Sequence, residues 1–186
     1  PTRQSHHSSL CLSLIKGDTA FKPPDYEFRL TPIINFNHVE VEENRVLKAD
    51  PRLGRHRSDR HIAIAEAFFD YHIRNVSDRY DFDSVRIGIQ PFSSDFRGFL
   101  FQDSQLGIRF FGDRDNNIFQ YNLAWFRRLE KDTNSLLNHI ERKVRDDDIF
   151  IANLYWQDFP VLGFQSQVTG VYNRNNEAGD FFFNDN

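Results

Sequence analysis

The chain has 186 residues and a formal net charge of −4, which is long enough for one domain with a substantial core. An acidic balance without a basic stripe argues against a nucleic-acid partner. The single cysteine, Cys11, excludes an internal disulfide and a cysteine-based metal site. No apolar run approaches the ~20 residues of a membrane-spanning helix, although a strand of a membrane barrel needs only ~9–11. The chain contains no Met and opens without a signal-like segment, so we expect residues 1–186 to be one incomplete domain from a longer protein.

The first half of the chain alternates apolar and polar residues with the period of β-strands. Residues 9–15, 26–36 and 61–74 each place apolar side chains on one face and polar ones on the other. Pro32 interrupts the second of these segments and predicts a β-bulge or an edge there. The polar, arginine-rich stretch 45–59 predicts a long loop. The segment 1–8 shows no pattern.

The second half continues the same alternation. Strands are predicted at 82–90, 105–111, 118–128, 149–158 and 164–174. Within the charged connection 129–148, four apolar residues spaced by one to four positions allow at most one short amphipathic helix over 135–145. The predicted fold is therefore all-β, an antiparallel up-and-down meander of about eight strands. As a barrel segment, it would form an open curved sheet.

Long and short connections alternate between these strands. Three are long (45–59, 91–104 and 129–148) and three are short (76–81, 112–117 and 158–163). Alternate connections of a meander lie at the same end, so all the long loops would emerge on one side. Membrane barrels show this asymmetry, together with aromatic residues near the strand ends. Aromatic residues also favour strands in general.

Several stretches resemble the large outer-membrane β-barrel proteins of Gram-negative bacteria, such as porins and the barrels of TonB-dependent receptors. The matching segments are 16–25, 28–35, 85–98, 120–126, 129–134 and 150–155. The resemblance lies in the general pattern of strands and loops, and it assigns no function to any individual residue. It implies a pore or uptake channel for small hydrophilic solutes in the cell outer membrane, surrounded by outer-membrane lipid. It also implies an energy-coupling partner or a homo-oligomer as the class of protein partner.

If the apolar faces meet lipid, the opposite faces line a lumen, where rings of charge tune solute selectivity. The predicted lumen-lining residues are Glu66, Asp70, His72, Arg74, Arg86, Arg109, Gln120 and Asn122. The loop 91–104 carries Asp95 and Arg97 among four phenylalanines, an odd composition for a loop in water. It either folds inward and narrows the pore or packs against other external loops, and the second arrangement is favoured.

The main alternative is a soluble barrel that binds a small apolar ligand, in the manner of lipocalins. It uses the same alternation with the faces inverted, so that Leu106, Ile108, Leu123 and Leu154 would pack inside. The seven histidines show no metal-binding spacing, and no nucleophile–base motif or phosphate loop occurs. The sequence therefore predicts no enzyme activity and no cofactor.

Overall fold

The computed structural model describes residues 2–17, 23–40, 56–95, 97–132 and 135–177. In these ranges the chain forms nine antiparallel strands in a single open sheet and no helix, which confirms the predicted all-β meander. The strands are β1 (Thr2–Ser9), β2 (Leu12–Lys16), β3 (Tyr26–Glu40), β4 (His56–Asn75), β5 (Phe82–Ser93), β6 (Gln102–Arg114), β7 (Phe119–Arg127), β8 (Asp147–Gln157) and β9 (Gln165–Asn175). None of the described residues forms a helix long and apolar enough to cross a membrane.

Each strand from β3 onward pairs with the next strand in the chain. At the other edge, β1 pairs with the second half of β3 and β2 pairs with its first half. The two short strands therefore share one edge of the sheet, while β9 forms the opposite edge. Among the described strands β9 has only β8 as a partner, so the sheet does not close.

The structure corrects several predicted boundaries. The unpatterned segment 1–8 is largely strand β1. The segment 135–145 is not helical, since Leu136 has a left-handed φ of 60° and Lys131 forms an isolated bridge with Asn138. Strand β4 begins at His56, so the end of the predicted loop 45–59 is strand, and residues 41–55 lie outside the described part. Strands β5 and β6 extend into the predicted loop 91–104 and leave only 94–101 as the connection.

The two faces of the sheet have opposite chemistry. One row of paired residues on the first face consists of Phe28, Phe69, Ile87, Ile108, Trp125, Phe150 and Tyr172, all exposed. We call this the apolar face. The other face buries polar side chains, among them Asn35, Gln90, Gln105, Asn122 and Asn153, and we call it the polar face. A pleated strand presents alternate residues to alternate sides, so the period of two in the sequence produces this separation.

Two irregularities of register affect which face a residue joins. The pairing of β3 with β4 shifts between Thr31 and Pro32, as the proline predicted. The pairing of β4 with β5 shifts between His72 and Arg74. His72 pairs with Ser84, whereas Arg74 pairs with Asp83, the neighbouring residue on β5. The second shift moves Arg74 out of the alternation that the sequence suggests.

A small apolar core lies on the polar face, below the connection between β5 and β6. It consists of Phe92, Phe101, Ala124, Phe126, Ile149 and Ile151. The Phe126 ring lies 5.3 Å from the Phe92 ring and 5.4 Å from the Phe101 ring, between centroids. Gly107 makes room for it, because a Cβ at this position would lie 2.5 Å from a ring carbon of Phe126. This core holds the loop 94–101 against the sheet.

Candidate functional site on the polar face

The centre of the polar face is a ladder of arginines and aromatic rings on β4, β5 and β6. Arg86 and Arg109 are paired in register, and the Arg86 guanidinium lies 2.6 Å from the Asp70 carboxylate. Arg86 also lies 4.3 Å from the centroid of the Phe68 ring. Arg109 lies 4.3 Å from the Phe111 ring. Cation–π contacts of this kind fix the guanidinium groups without neutralising them.

Arg109 differs from Arg86 in its electrostatic partner. Its Nε donates a hydrogen bond to Asn122 Oδ1 at 2.7 Å. In the described part of the chain, no carboxylate forms an ion pair with Arg109. Asn122 is in turn paired across the strands with Asn153. Asn153 is 3 % exposed, and neither its amide nitrogen nor its amide oxygen has a hydrogen-bond partner.

The acidic side chains of this face collect on β3 and β4. Arg29 lies 2.6 Å from Glu27 and 3.6 Å from Glu66, and it also lies over the Phe68 ring. Asp70, which pairs with Glu27 across the strands, completes the group. Across the sheet, acidic groups on β3 and β4 therefore give way to basic groups on β5 and β6.

The structure places seven of the eight predicted lumen-lining residues on the polar face. Glu66, Asp70, Arg86, Arg109 and Asn122 lie in or beside the arginine ladder. His72 and Gln120 lie nearer the short turns, where they contact Asn75 and Asn117. Arg74 is the exception, because the register shift pairs it with Asp83, and its Nε donates to the Asp83 carboxylate at 2.8 Å.

The loop 94–101 crosses over the polar face. The carbonyl oxygen of Ser94 accepts hydrogen bonds from Gln167 Nε2 at 2.9 Å and from Thr169 Oγ1 at 3.2 Å, both on β9. Strand β9 is four strands away from β5, the strand that leads into this loop. The start of the loop is therefore tied to β9 across the polar face, a contact that the favoured prediction of packing on other external loops did not include. Phe96, one of its four phenylalanines, lies outside the described residues.

The two charged residues of this loop behave differently. The Asp95 carboxylate accepts hydrogen bonds from the backbone N–H groups of Arg97, Phe99 and Leu100. These bonds, led by that of Leu100, lower the pKa of Asp95. Asp95 thus organises the loop, while the Arg97 side chain is exposed.

Asn138 and His139, in the connection between β7 and β8, also lie over the polar face, on the side of β4. Asn138 Nδ2 donates to the carbonyl oxygens of Ser104 at 2.9 Å and Ile64 at 3.4 Å. The rings of His61 and His139 lie 4.7 Å apart. Burial, with the charges of His61 and Arg142, lowers the pKa of His139. Nothing in the sequence signals these contacts, since Asn138 resembles any polar loop residue.

Ionic groups gather at both ends of the sheet. At the short-turn end, Asp83 binds Arg74, Arg114 at 2.7 Å and the Tyr121 hydroxyl. At the long-loop end, Arg145 binds Glu177 at 2.7 Å, and its hydrogen bonds lower the pKa of Glu177. Within the described ranges, no three His, Cys, Asp or Glu side chains are arranged to hold a metal ion.

The apolar face carries a shallow groove of about 760 Å³ over β6 to β9. Large side chains such as Ile108, Trp125 and Tyr172 border it, and the small residues Ala152 and Gly170 form its floor. Its lining is almost entirely apolar, which suits a hydrocarbon chain better than a polar ligand.

Searches with the whole chain against protein-family models, curated proteins and solved structures gave no match.

Proposed function

We propose that this chain forms part of the wall of an outer-membrane β-barrel that passes small hydrophilic solutes. The apolar face would meet lipid, and the polar face would line the lumen. The observation that carries this proposal is the separation of the two faces: a continuous apolar surface is exposed while charged and amide side chains are buried behind it. A water-soluble sheet has the reverse arrangement.

The energetics support lipid as the neighbour of the apolar face. Removing one large apolar side chain from water stabilises a protein by roughly 1.5–3 kcal/mol, so one row of seven exposed rings and aliphatic chains is costly in water. The residues at the border of the apolar face also fit a lipid neighbour. Two residues along the strands from Trp125, Phe150 and Tyr172, the paired positions on the same face are Arg127, Asp148 and Arg174. Trp125 Nε1 donates to Asp148 Oδ1 at 3.1 Å. Tryptophan at the border between an apolar band and charged groups is typical of a membrane interface.

The dimensions fit as well. On β4 the side chains of the apolar face run from Ile62 to Ile73, which is about 37 Å of strand at ~3.4 Å per residue. A strand tilt of ~45° turns this into about 26 Å of height, close to the ~25 Å apolar band of membrane barrels.

The open edges are consistent with a segment of a larger barrel. An exposed edge strand presents unpaired N–H and C=O groups and invites pairing with another strand. Further strands, on the same polypeptide or on copies of it, would pair with β1, β2 and β9. The two loops that cross the polar face would then narrow the lumen from inside.

No observation favours the alternative of a soluble barrel with an apolar ligand inside. The four residues that it needs in its interior, Leu106, Ile108, Leu123 and Leu154, are 37 %, 42 %, 53 % and 41 % exposed on the face opposite the buried polar groups. The ligand would have to bind a face that bears no enclosing strands.

Fractionation of a Gram-negative host that expresses the complete gene tests the proposal. We expect the protein in the outer-membrane fraction, extracted only by detergent, and we expect its reconstitution to make liposomes permeable to small sugars. Recovery in the soluble fraction as a monodisperse protein without detergent would contradict the proposal. Membrane recovery with no permeability would contradict the pore and leave only the membrane location.

A further inference from the structure

We infer that Arg109 is the centre of a binding site for a small oxyanion, a carboxylate or a phosphate, on the polar face. This inference rests on the proposed function, because it names the class of solute that the lumen would hold. Its residues come from three adjacent strands: Arg109 on β6, Asn122 on β7 and Asn153 on β8.

The first argument is the charge balance around Arg109. Arg86 is neutralised by Asp70, and Lys131 lies 2.6 Å from Asp103. Glu27 and Glu66 are engaged with Arg29. Among the described residues no carboxylate forms an ion pair with Arg109, and Asp70, bound to Arg86, acts on it only from a greater distance. A mobile anion would supply the missing charge, and the surrounding low-polarity rings would strengthen the attraction.

The second argument is the free edge of the guanidinium group. Only Nε of Arg109 has a hydrogen-bond partner in the described part of the chain, and that partner is the neutral amide oxygen of Asn122. The two terminal nitrogens remain to donate. The rings of Phe111, at 4.3 Å, and Phe92, at 5.2 Å, fix the plane of the group. A planar fork held in this way matches the two oxygens of a carboxylate or a phosphate.

The third argument is independent of charge. Asn153 is almost completely buried, but both of its side-chain polar atoms lack partners. Ser84 lies in the same cross-strand row as Asn122 and Asn153, and its buried Oγ also lacks a partner. A buried polar atom without a hydrogen bond costs about 1–3 kcal/mol, so such atoms require a ligand or water. Asn153 is paired with Asn122, the residue that accepts from Arg109, so the unpartnered amide lies in the same part of the polar face as Arg109.

The loop 94–101 limits what can enter. Its Asp95 carboxylate already accepts hydrogen bonds from three backbone N–H groups. It therefore repels anions less than a free carboxylate would. The loop is tied to β9 at Ser94 and so spans the polar face from β5 to β9, which favours a small anion over a large one.

The test measures binding and conductance separately, on the product of the complete gene in detergent and in planar bilayers. Calorimetric titration uses inorganic phosphate in one arm and acetate in the other, against the native protein, Arg109→Gln and Arg109→Lys. The matched control is Arg79→Gln, which removes the same charge from an exposed turn. Retained heat-modifiable migration in gels identifies the variants that fold.

We expect native and Arg79→Gln proteins to bind phosphate or acetate equally, and Arg109→Gln to bind on the order of tenfold more weakly, as the loss of a charge-assisted hydrogen bond predicts. Arg109→Lys should lie between them, because an ammonium group lacks the fork. In bilayers, Arg109→Gln should lower the preference for chloride over potassium, whereas Arg79→Gln should not.

Binding that is absent from the native protein, or unchanged in both Arg109 variants, would overturn the site. If Arg109→Gln does not fold, the comparison of native protein with Arg109→Lys decides the same question. Anion binding without any conductance would instead overturn the proposed pore and leave the site intact, so the two failures are distinguishable.

Discussion

Asp83 is the residue on which the short-turn end of the sheet depends. It is 1 % exposed and lies at the start of β5. Two guanidinium groups and a phenol bind its carboxylate. A buried carboxylate is tolerated only with such partners, because its desolvation is otherwise expensive.

We predict that Asp83→Asn lowers the free energy of unfolding by about 2 kcal/mol, less than the ~3–5 of a fully buried pair because Arg74 is largely solvated. Urea titration of the detergent-solubilised protein measures this. Asp78→Asn, on an exposed turn nearby, is the control and should change the value by less than ~0.5 kcal/mol. Equal effects of the two substitutions would contradict a structural role for the Asp83 carboxylate.

The register shift at β4 shows why single residues are harder to place than faces. The alternation assigns Asp70, His72 and Arg74 to one face, and it is correct for the first two. One extra residue between His72 and Arg74 reverses the assignment of the third. No glycine or proline marks this bulge, in contrast to Pro32. The sequence does not single out Asn153 for another reason. An asparagine in a strand gives the same sequence pattern whether or not its amide has hydrogen-bond partners.

At the scale of elements, the strands were predictable and the paths of the loops were not. Strands follow from a period of two that every segment repeats. Strand β1 was missed because its residues are almost all polar, so it has no apolar period to detect. The loops 94–101 and 128–146 are held by backbone carbonyls, such as that of Ser94, which any residue provides.

Docking of the loop 128–146 should depend on pH. The pKa of His139 lies below the ordinary histidine value of about 6.5, so the folded loop favours the neutral ring. A depressed histidine pKa gives full stability above that ordinary value. The stability is lost as the pH falls below it toward the pKa of the folded state. Protonation would add a positive charge beside His61 and Arg142, with Glu141 and Asp132 as the opposing charges.

Hydrogen exchange of residues 135–145, corrected for its intrinsic pH dependence, checks this expectation. Protection should fall between about pH 7 and pH 5 in the native protein and stay nearly constant in His139→Gln. His6→Gln, at an exposed position of β1, should behave like the native protein. Protection that is independent of pH in the native protein would rule out this histidine as the cause.

On the scale of the whole molecule, the two faces of the sheet carry different chemical groups. The polar face holds the arginine ladder and the two crossing loops. The apolar face is hydrocarbon between two borders of ionic groups, Asp83 with Arg74 and Arg114 at one end and Arg127 with Asp148 at the other. The same division explains how an overall polar sequence exposes so many large apolar residues: its polar residues are buried on the side that loops and charges fill.

Leu123 and Gln120 provide a direct test of this division, because they lie three residues apart on β7 and on opposite faces. If the apolar face meets lipid, Leu123→Arg should destabilise the inserted protein by roughly 1–3 kcal/mol, because the cost of an arginine falls from the bilayer midplane toward the interface and Leu123 lies one position inward from Trp125. Gln120→Arg adds the same charge on the water-filled side and should be tolerated. The measurement is the yield of heat-modifiable protein in the outer-membrane fraction, followed by urea unfolding in lipid vesicles. If the apolar face met water instead, Leu123→Arg would be the harmless change and would raise solubility. The variant with the greater loss of yield and stability therefore decides which environment this face has.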